Sequence, residues 1–274
     1  MPASESPPEE QLAETLLELD RLVRRLRREC PWDREQGVDD IVGYTLEETY
    51  ELIDAAHAGN GAGVAGELGD LLYHVFFLSS LAQERGWGGP VEVAQAVIDK
   101  LVLRHPHVFG AESAGSAAEV VNRWEEIKRE REGRQGIFHD TPASLPALLY
   151  ARRLQGRAAA VGFDWDAAAP VFAKVDEEIR ELKDELAAEP PAAGEPGNKR
   201  GPGSGAYHEV GDLIFAVVNL ARKLDVDPEL ALRSAARRFQ ERVETAVSLA
   251  AAGGEDFSRL PAGRQEEYYQ QAKK

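Results

Sequence analysis

Residues 47–51 read EETYE and residues 67–70 read ELGD, and the same pattern returns as EEIRE at 177–181 and EVGD at 209–212. Residues three or four positions apart on a helix share one face, so each motif sets carboxylates side by side. Two unit charges about 4 Å apart interact by roughly 4 kcal/mol at an effective dielectric near 20, so converging carboxylates require a cation or bound protons. Because the pattern occurs twice, chance clustering is a poor explanation, and we predict a duplicated domain.

The segments around these motifs have helical periodicity. Leucine and valine recur at three- and four-residue spacing between residues 12 and 26, and the segments that follow ELGD and EVGD are apolar over much of a helix circumference. Strand-like alternation is almost absent. The sequence therefore predicts an all-α fold built of two tandem helical bundles, each of about four or five helices.

The repeat also suggests where the domains begin and end. We place a first helical domain at residues 11–132 and a second at residues 133–274. The first ten residues are rich in Pro, Ser and Glu, and we expect residues 1–10 to be disordered. Residues 190–205 form a Pro/Gly-rich insertion in the second copy that we also expect to be disordered. Lengthening a surface loop costs only about 0.6 kcal/mol per doubling, so this insertion need not damage the second site.

The doubled acidic motifs are candidate metal sites. Antiparallel packing of the two helices in each copy would bring the carboxylates together, and such hard oxygen ligands suit Mg²⁺ or Mn²⁺ better than zinc or copper. A ferritin-like di-iron site would need Glu-x-x-His, which neither acidic motif contains. An ordinary solvated acidic face is the competing interpretation. The predicted ligands are Glu48, Glu51, Glu67 and Asp70 in the first copy and Glu178, Glu181, Glu209 and Asp212 in the second.

Basic residues accompany both acidic sites. The pairs Lys100 with Arg104 and Arg238 with Arg242 have i,i+4 spacing, which places each pair on one helical face where it would hold phosphates. Lys174, one turn before the second Glu-Glu, is a similar candidate. An ordinary solvated face is the alternative for each pair.

Aromatic residues four positions before a lysine occur near the end of both copies. These pairs are Trp124 with Lys128 and Tyr269 with Lys273. They would either cap a nucleobase or fold the end of each copy back on itself, and the sequence leaves both interpretations open.

Composition limits the partners. The formal charge of −16 opposes electrostatic binding to nucleic acid or to an anionic membrane, so a polyanionic ligand would need a metal. Cys30 is the only cysteine, which excludes an intrachain disulfide and suggests a reducing compartment. The apolar runs are far shorter than the roughly 20 residues that span a bilayer, and the N-terminus does not look like a signal peptide. We expect a cytoplasmic protein.

Several motifs together resemble the MazG family of bacterial nucleoside triphosphate pyrophosphohydrolases. In the first copy they are CPWDREQ at 30–36, EETYE, ELGD and KLVLRHPHVFG at 100–110; in the second they are GFDW at 162–165, EEIRE, EVGD and the downstream basic helix. The resemblance covers the chain from about residue 12 to its end. It implies the all-α NTP pyrophosphatase fold, tandem MazG domains, a homodimer, and Mg²⁺-dependent hydrolysis of nucleoside triphosphates to monophosphate and pyrophosphate. Such an activity serves housecleaning or control of the nucleotide pool.

The resemblance also implies roles for residues. It credits catalysis to the second copy, where Glu178, Glu181, Glu209 and Asp212 would bind Mg²⁺ and Lys174, Arg238 and Arg242 would face the triphosphate. Glu177 lies beside these ligands, and from its spacing we predict that it positions the attacking water. The chain departs from the family pattern in the second copy at Ala236, Glu241 and Tyr269, where Asn, a basic residue and Trp are common.

Two other classes of function remain as alternatives. A non-catalytic module that senses metal and nucleotide, with regulatory or interaction roles, would use the same carboxylates without turnover. A nucleic-acid enzyme is disfavoured by the negative charge and by the lack of a basic groove.

Overall fold

The computed structural model describes residues 8–116, 119–120, 123–124, 126–127, 136–139, 141–188 and 201–273. Within these residues the regular secondary structure is entirely helical. The prediction of an all-α fold is therefore confirmed. In the same part of the chain, no helix has both the length and the apolar character that a membrane span requires.

The chain divides into two compact units, Met1–Trp124 and Glu125–Lys274. The boundary that we predicted, between residues 132 and 133, lies outside the described residues. The helices of the first unit are α1 (Glu9–Glu29), α2 (Pro31–Glu35), α3 (Val38–His57), α4 (Gly61–Glu84), α5 (Pro90–Arg104) and α6 (Pro106–Phe109). Those of the second unit are α7 (Ala147–Ala159), α8 (Ala169–Ala188), α9 (Gly205–Lys223), α10 (Pro228–Ala252) and α11 (Ala262–Gln271), with a 3₁₀ turn at Phe257–Arg259.

A tight turn sets the pairing of helices in the first unit. Gly59 has a left-handed backbone (φ 65°), which glycine adopts without strain, and the Asn60 side chain accepts a hydrogen bond from the Gly63 amide (3.0 Å) to cap α4. This short connection folds α4 back along α3 as a helical hairpin. Behind the hairpin, Val23, Phe77 and other apolar residues of α1, α3 and α4 form a buried core.

The second unit repeats this pairing with α8 and α9, although the connection is longer. Residues 190–200 of the predicted insertion lie outside the described residues, whereas residues 201–205 are described and lead into α9. Ser204 accepts a hydrogen bond from the Tyr207 amide (3.2 Å) and so caps the start of α9.

Part of the N-terminal segment that we expected to be disordered is helical. Residues 1–7 lie outside the described residues, but Glu9 and Glu10 form the first turn of α1. Acidic side chains interact favourably with the positive end of a helix dipole, which explains why the helix extends to them.

Candidate functional site

Each unit brings three carboxylates together. Oxygen atoms of Glu48, Glu67 and Asp70 lie within 4.8 Å of one another in the first unit, as do those of Glu178, Glu209 and Asp212 in the second. In both units the first residue lies on one helix of the pair and the other two lie on its partner. The structure thus confirms that helix packing joins the two acidic motifs of each copy. Glu51 and Glu181 are not members of these close groups.

Like charges crowd around Glu209 in the second cluster. Burial raises the pKa of Glu209, and the neighbouring carboxylates of Glu181, Glu178, Asp212 and Glu185 raise it further. The Oε2 atom of Glu209 is buried without a hydrogen-bond partner among the described residues. A buried acceptor in an all-oxygen set of like charges fits a hard divalent cation.

The first cluster also contains a carboxyl group whose pKa is raised, that of Glu48. Burial raises the pKa of Glu48, followed by the charges of Asp70 and Glu51, so Glu51 lies close enough to act on the cluster. The carboxylate oxygen atoms of this site also fit a divalent cation.

Lys174 lies at the edge of the second cluster, as its spacing predicted. Its Nζ atom is 2.7 Å from Oε1 of Glu178, whose side chain is only 5% exposed, and 3.0 Å from Oε1 of Glu177. The hydrogen bonds to Glu178 and Glu177 raise the pKa of the ammonium well above its usual value. The lysine is therefore a fixed positive charge, and Glu177 is held beside the cluster by it.

A cavity of about 590 Å³ opens from this cluster in the second unit. Part of its wall is formed by Lys174 and by Glu178, Glu181, Glu209 and Asp212. The remaining wall is mostly apolar and aromatic, with Phe138, Phe163, Trp165 and Phe215 among its residues. A pocket of this size, lined by both a carboxylate cluster with a lysine and several aromatic rings, fits a small anionic ligand that carries a ring and binds with a cation.

The aromatic wall depends on the turn between α7 and α8. Asp164, between Phe163 and Trp165, pairs with Nη2 of Arg222 (2.5 Å) and with Nζ of Lys223 (2.7 Å) at the end of α9. Lys223 also donates a hydrogen bond to the backbone carbonyl of Trp165. This turn is therefore anchored to α9. We call the two ion pairs of Asp164, with Arg222 and with Lys223, the Asp164 clamp.

The two copies fix their Trp-Asp segments differently. In the first unit Asp33 is buried and its Oδ1 accepts a hydrogen bond from the Tyr73 hydroxyl (3.0 Å). The second unit has Phe215 at the position of Tyr73 and uses Asp164, rather than Asp166 after the tryptophan, to bind α9.

Other predicted residues of the second copy lie elsewhere. Arg238, Arg242, Tyr269 and Lys273 are not among the residues that line the cavity. Arg238 donates to the Ser234 hydroxyl (2.6 Å) on its own helix. The Lys273 ammonium lies 4.9 Å from the centre of the Tyr269 ring, which in turn contacts Phe239. These contacts favour the interpretation in which the end of the chain folds back.

The basic and aromatic candidates of the first copy are also described. Lys100 is exposed and Arg104 is half-buried, both on α5. Trp124 contacts the ring of His105 (5.1 Å between centroids), and its buried Nε1 has no hydrogen-bond partner among the described residues. Lys128 lies outside the described residues.

Sequence reasoning missed the polar residues of the cavity wall. Gln155, Asn219 and Arg222 line the cavity, but none belongs to the acidic motifs. One signal was available for Asn219, because Asp212, Ala216 and Asn219 follow i, i+4, i+7 spacing and therefore share one face of α9. For Gln155, on α7, the sequence offers no comparable signal.

Comparison with known proteins agrees with this architecture. Residues 36–109 match the model of the MazG nucleotide pyrophosphohydrolase domain. The chain is 41% identical over 266 residues to a nucleoside triphosphate pyrophosphohydrolase of Escherichia coli, covering 94% of this chain and 97% of that protein. It is 38% identical over 260 residues to the nucleoside triphosphate pyrophosphohydrolase/pyrophosphatase MazG of Thermotoga maritima, covering 93% and 94%. Likeness of this extent, over both units, shows that the chain belongs to the MazG nucleotide pyrophosphohydrolase family.

Proposed function

We propose that this protein hydrolyses nucleoside triphosphates to nucleoside monophosphate and pyrophosphate in the cavity of the second unit. The observation that carries this proposal is the continuity of the Glu178, Glu209 and Asp212 cluster with an aromatic-walled cavity. A nucleotide has the matching layout, with phosphates at one end and a ring at the other. The names of the relatives from Escherichia coli and Thermotoga maritima support the same activity.

The carboxylates would hold Mg²⁺, with Mn²⁺ as a substitute. The proposed ligands are Glu178, Glu181, Glu209 and Asp212, and the first unit would hold the same ion with Glu48, Glu51, Glu67 and Asp70. When bound, the ion supplies charge neutralisation for the phosphates and activation of a water molecule. Glu209 Oε2, which is buried without a partner among the described residues, supports this assignment.

The side chains at the charged end would then position the reacting groups. Lys174, held at the cluster by Glu178 at 2.7 Å, would pair with phosphate oxygens and help to align the α-phosphorus. Glu177 would accept a hydrogen bond from the attacking water. The water oxygen bonds to the α-phosphorus as the bond to the bridging α–β oxygen breaks, and pyrophosphate leaves with that oxygen.

The remaining predicted roles are part of the same proposal. Arg238 and Arg242 would face the triphosphate, although they lie outside the cavity lining described above. Lys100, Arg104, Trp124, Lys128, Tyr269 and Lys273 stay predicted contacts for substrate. We also propose a cytoplasmic homodimer that does not bind nucleic acid, in keeping with its charge of −16.

Release of pyrophosphate from a panel of NTPs and dNTPs in the presence of Mg²⁺ tests the proposal. Product analysis should find monophosphate and pyrophosphate rather than diphosphate and phosphate. Asp212→Asn should remove the activity, whereas Asp176→Asn should keep it, because Asp176 is exposed on α8 two residues from Glu178 and so points to another face. Nucleotide binding without turnover of any substrate in the panel would instead favour the sensing module.

A further inference from the structure

The second carboxylate cluster carries a cation of its own, the ammonium group of Lys174. Its Nζ atom lies 2.7 Å from Oε1 of Glu178, one of the three carboxylates that come together in this unit. Glu178 is buried. Because a buried charge that loses its partner is destabilised, a second cation that takes this carboxylate must compensate for the loss of the lysine.

The corresponding position of the first unit carries no charge. Tyr44 stands four residues before Glu48, whereas Lys174 stands four residues before Glu178. Among the described residues, no basic side chain is ion-paired with a carboxylate of the first cluster. The two clusters therefore have similar carboxylates but differ in whether a protein cation competes for them.

The lysine also lies close to the position that a metal ion on Glu178 would take. Mg²⁺ binds its oxygen ligands at about 2.1 Å, so an ion on Oε1 would lie within about 5 Å of the Nζ atom of Lys174. Charges of the same sign repel one another strongly at this distance, and the metal ion carries two of them. A free divalent ion at the second cluster must therefore overcome both this repulsion and the ion pair. At the first cluster it meets neither.

A triphosphate removes this conflict because it supplies negative charge for the lysine. Phosphate oxygen atoms pair with an ammonium group as a carboxylate does. When Lys174 pairs with the phosphates, Glu178 becomes available to the metal ion, and phosphate oxygen atoms bind the ion as well. The lysine thus opposes the free ion but not the ion that arrives together with a triphosphate.

We propose that Lys174 makes the second site selective for a divalent cation in complex with a triphosphate, whereas the first site takes up the free cation. This inference rests on the function proposed above and adds to it a residue that couples metal binding to substrate binding. Lys174 selects by charge, so the coupling applies to any nucleoside triphosphate.

Binding of Mn²⁺ alone, without nucleotide, tests the proposal on the full chain. Electron paramagnetic resonance measures the free ion at about pH 8, where exposed carboxylates are ionised. Asp70→Asn or Asp212→Asn removes a ligand from one cluster, so that the other is measured by itself. Asp212→Asn should bind Mn²⁺ at least about 10-fold more tightly than Asp70→Asn, because only the second cluster has the competing lysine.

Removing the lysine should then tighten the second site. Lys174→Met keeps an unbranched side chain without the charge, and in the Asp70→Asn protein it should increase the affinity for Mn²⁺ by about 10-fold or more. The same substitution should weaken calorimetric binding of Mn²⁺ premixed with α,β-methylene-ATP, whose CH₂ bridge is not hydrolysed, because the phosphates lose a partner. A lysine with a merely structural role would not change the two affinities in opposite directions.

Two further variants control for charge and position. Lys183→Met removes the same charge from an exposed position of α8, nine residues after Lys174 and so on the opposite face of the helix. It should change the affinity for Mn²⁺ by less than about twofold, since distant exposed charges are screened. Tyr44→Lys, made in the Asp212→Asn protein, should weaken the first site by about 10-fold or more. Thermal unfolding without metal should show that each variant is folded.

The metal measurements separate failure of this inference from failure of the proposed function. If the chain releases no pyrophosphate but Lys174→Met tightens binding of Mn²⁺ and weakens binding of its triphosphate complex, selection by Lys174 stands without the hydrolase assignment. Unchanged or weaker binding of Mn²⁺ in folded Lys174→Met overturns the inference, even in a chain that hydrolyses triphosphates. Equal affinities of the two sites for free Mn²⁺ overturn it as well.

Discussion

Replacing Asp164 with Asn should destabilise the second unit by about 2 kcal/mol at neutral pH. The carboxylate contacts Arg222 at 2.5 Å and Lys223 at 2.7 Å. At an effective dielectric near 20, each pair of charges about 4 Å apart contributes roughly 4 kcal/mol before the cost of desolvation. Exposed ion pairs contribute up to about 1 kcal/mol, whereas breaking a buried pair costs about 3 to 5 kcal/mol. With the Asp164 side chain 23% exposed, an intermediate value of about 2 kcal/mol follows.

Thermal unfolding followed by circular dichroism measures this effect. A loss of about 2 kcal/mol in a unit of this size should lower Tm by about 4 to 8 °C. Asp166→Asn is the matched control, because it removes the same charge two residues later from an exposed position. The substitution at Asp164 should also raise KM for the triphosphate more than it lowers kcat, since the Asp164 clamp anchors the turn that carries Phe163 and Trp165. Equal Tm values for the wild type and both variants would refute the clamp.

The pH dependence provides a second check on the clamp. Partial burial opposes ionisation of Asp164, but hydrogen bonds from Arg222 and Lys223 outweigh it and hold the pKa of this carboxyl below its usual value. A lowered pKa contributes stability that is present above the unfolded pKa, about 3.9, and is lost as the pH falls through the folded pKa. The Tm difference between wild type and Asp164→Asn should therefore be constant from about pH 6 to pH 8 and should close below about pH 4. A difference that widens with acidification would contradict this assignment.

Three further outcomes are expected. Lys174→Ala should raise KM for the triphosphate by about 10-fold or more in steady-state assays, because a fixed positive charge at the phosphates is lost. Lys174→Arg should keep KM closer to the wild-type value, because it retains that charge. In EDTA, Glu209→Gln should raise Tm, because it removes one of the mutually repelling carboxylates. The gain in Tm on adding Mg²⁺ should be smaller for this variant than for the wild type. An unchanged Tm in EDTA would argue against repulsion among the carboxylates of the cluster. Asp212→Asn should lower the rate of pyrophosphate release by about 100-fold or more, whereas the matching Asp70→Asn should leave most of it. Loss of activity in Asp70→Asn alone would assign catalysis to the first unit.

The sequence predicted the features that depend on neighbouring residues. Helical spacing predicted the carboxylate faces, and antiparallel packing of the two acidic helices was predicted to join the motifs of each copy. These two predictions suffice to bring Glu48, Glu67 and Asp70 together. The all-α fold followed from the same periodicity.

Features that depend on distant contacts were not predictable in this way. Gln155 reaches the cavity because α7 packs on α9, and its partner Phe215 lies 60 residues away in the chain. Asp166 follows Trp165 as Asp33 follows Trp32, yet the ion pair of the second unit is made by Asp164, because the partners on α9 differ from the partner of Asp33 on α4. Spacing placed Arg238 and Arg242 on one helical face, but it does not determine which surface that face meets.

A single position separates the chemistry of the two acidic sites. Three residues before each Glu-Glu pair stands Tyr44 in the first copy and Lys174 in the second. Tyr44 contacts the ring of Trp32 (5.9 Å between centroids), whereas the ammonium of Lys174 lies 2.7 Å from Glu178. A carboxylate set that holds a cation neutralises only part of a triphosphate, and an additional fixed positive charge favours the site that carries it. The family model matches the first copy, at residues 36–109, but the lysine and the cavity that it lines belong to the second. These two features support the proposal that the second copy carries out the reaction.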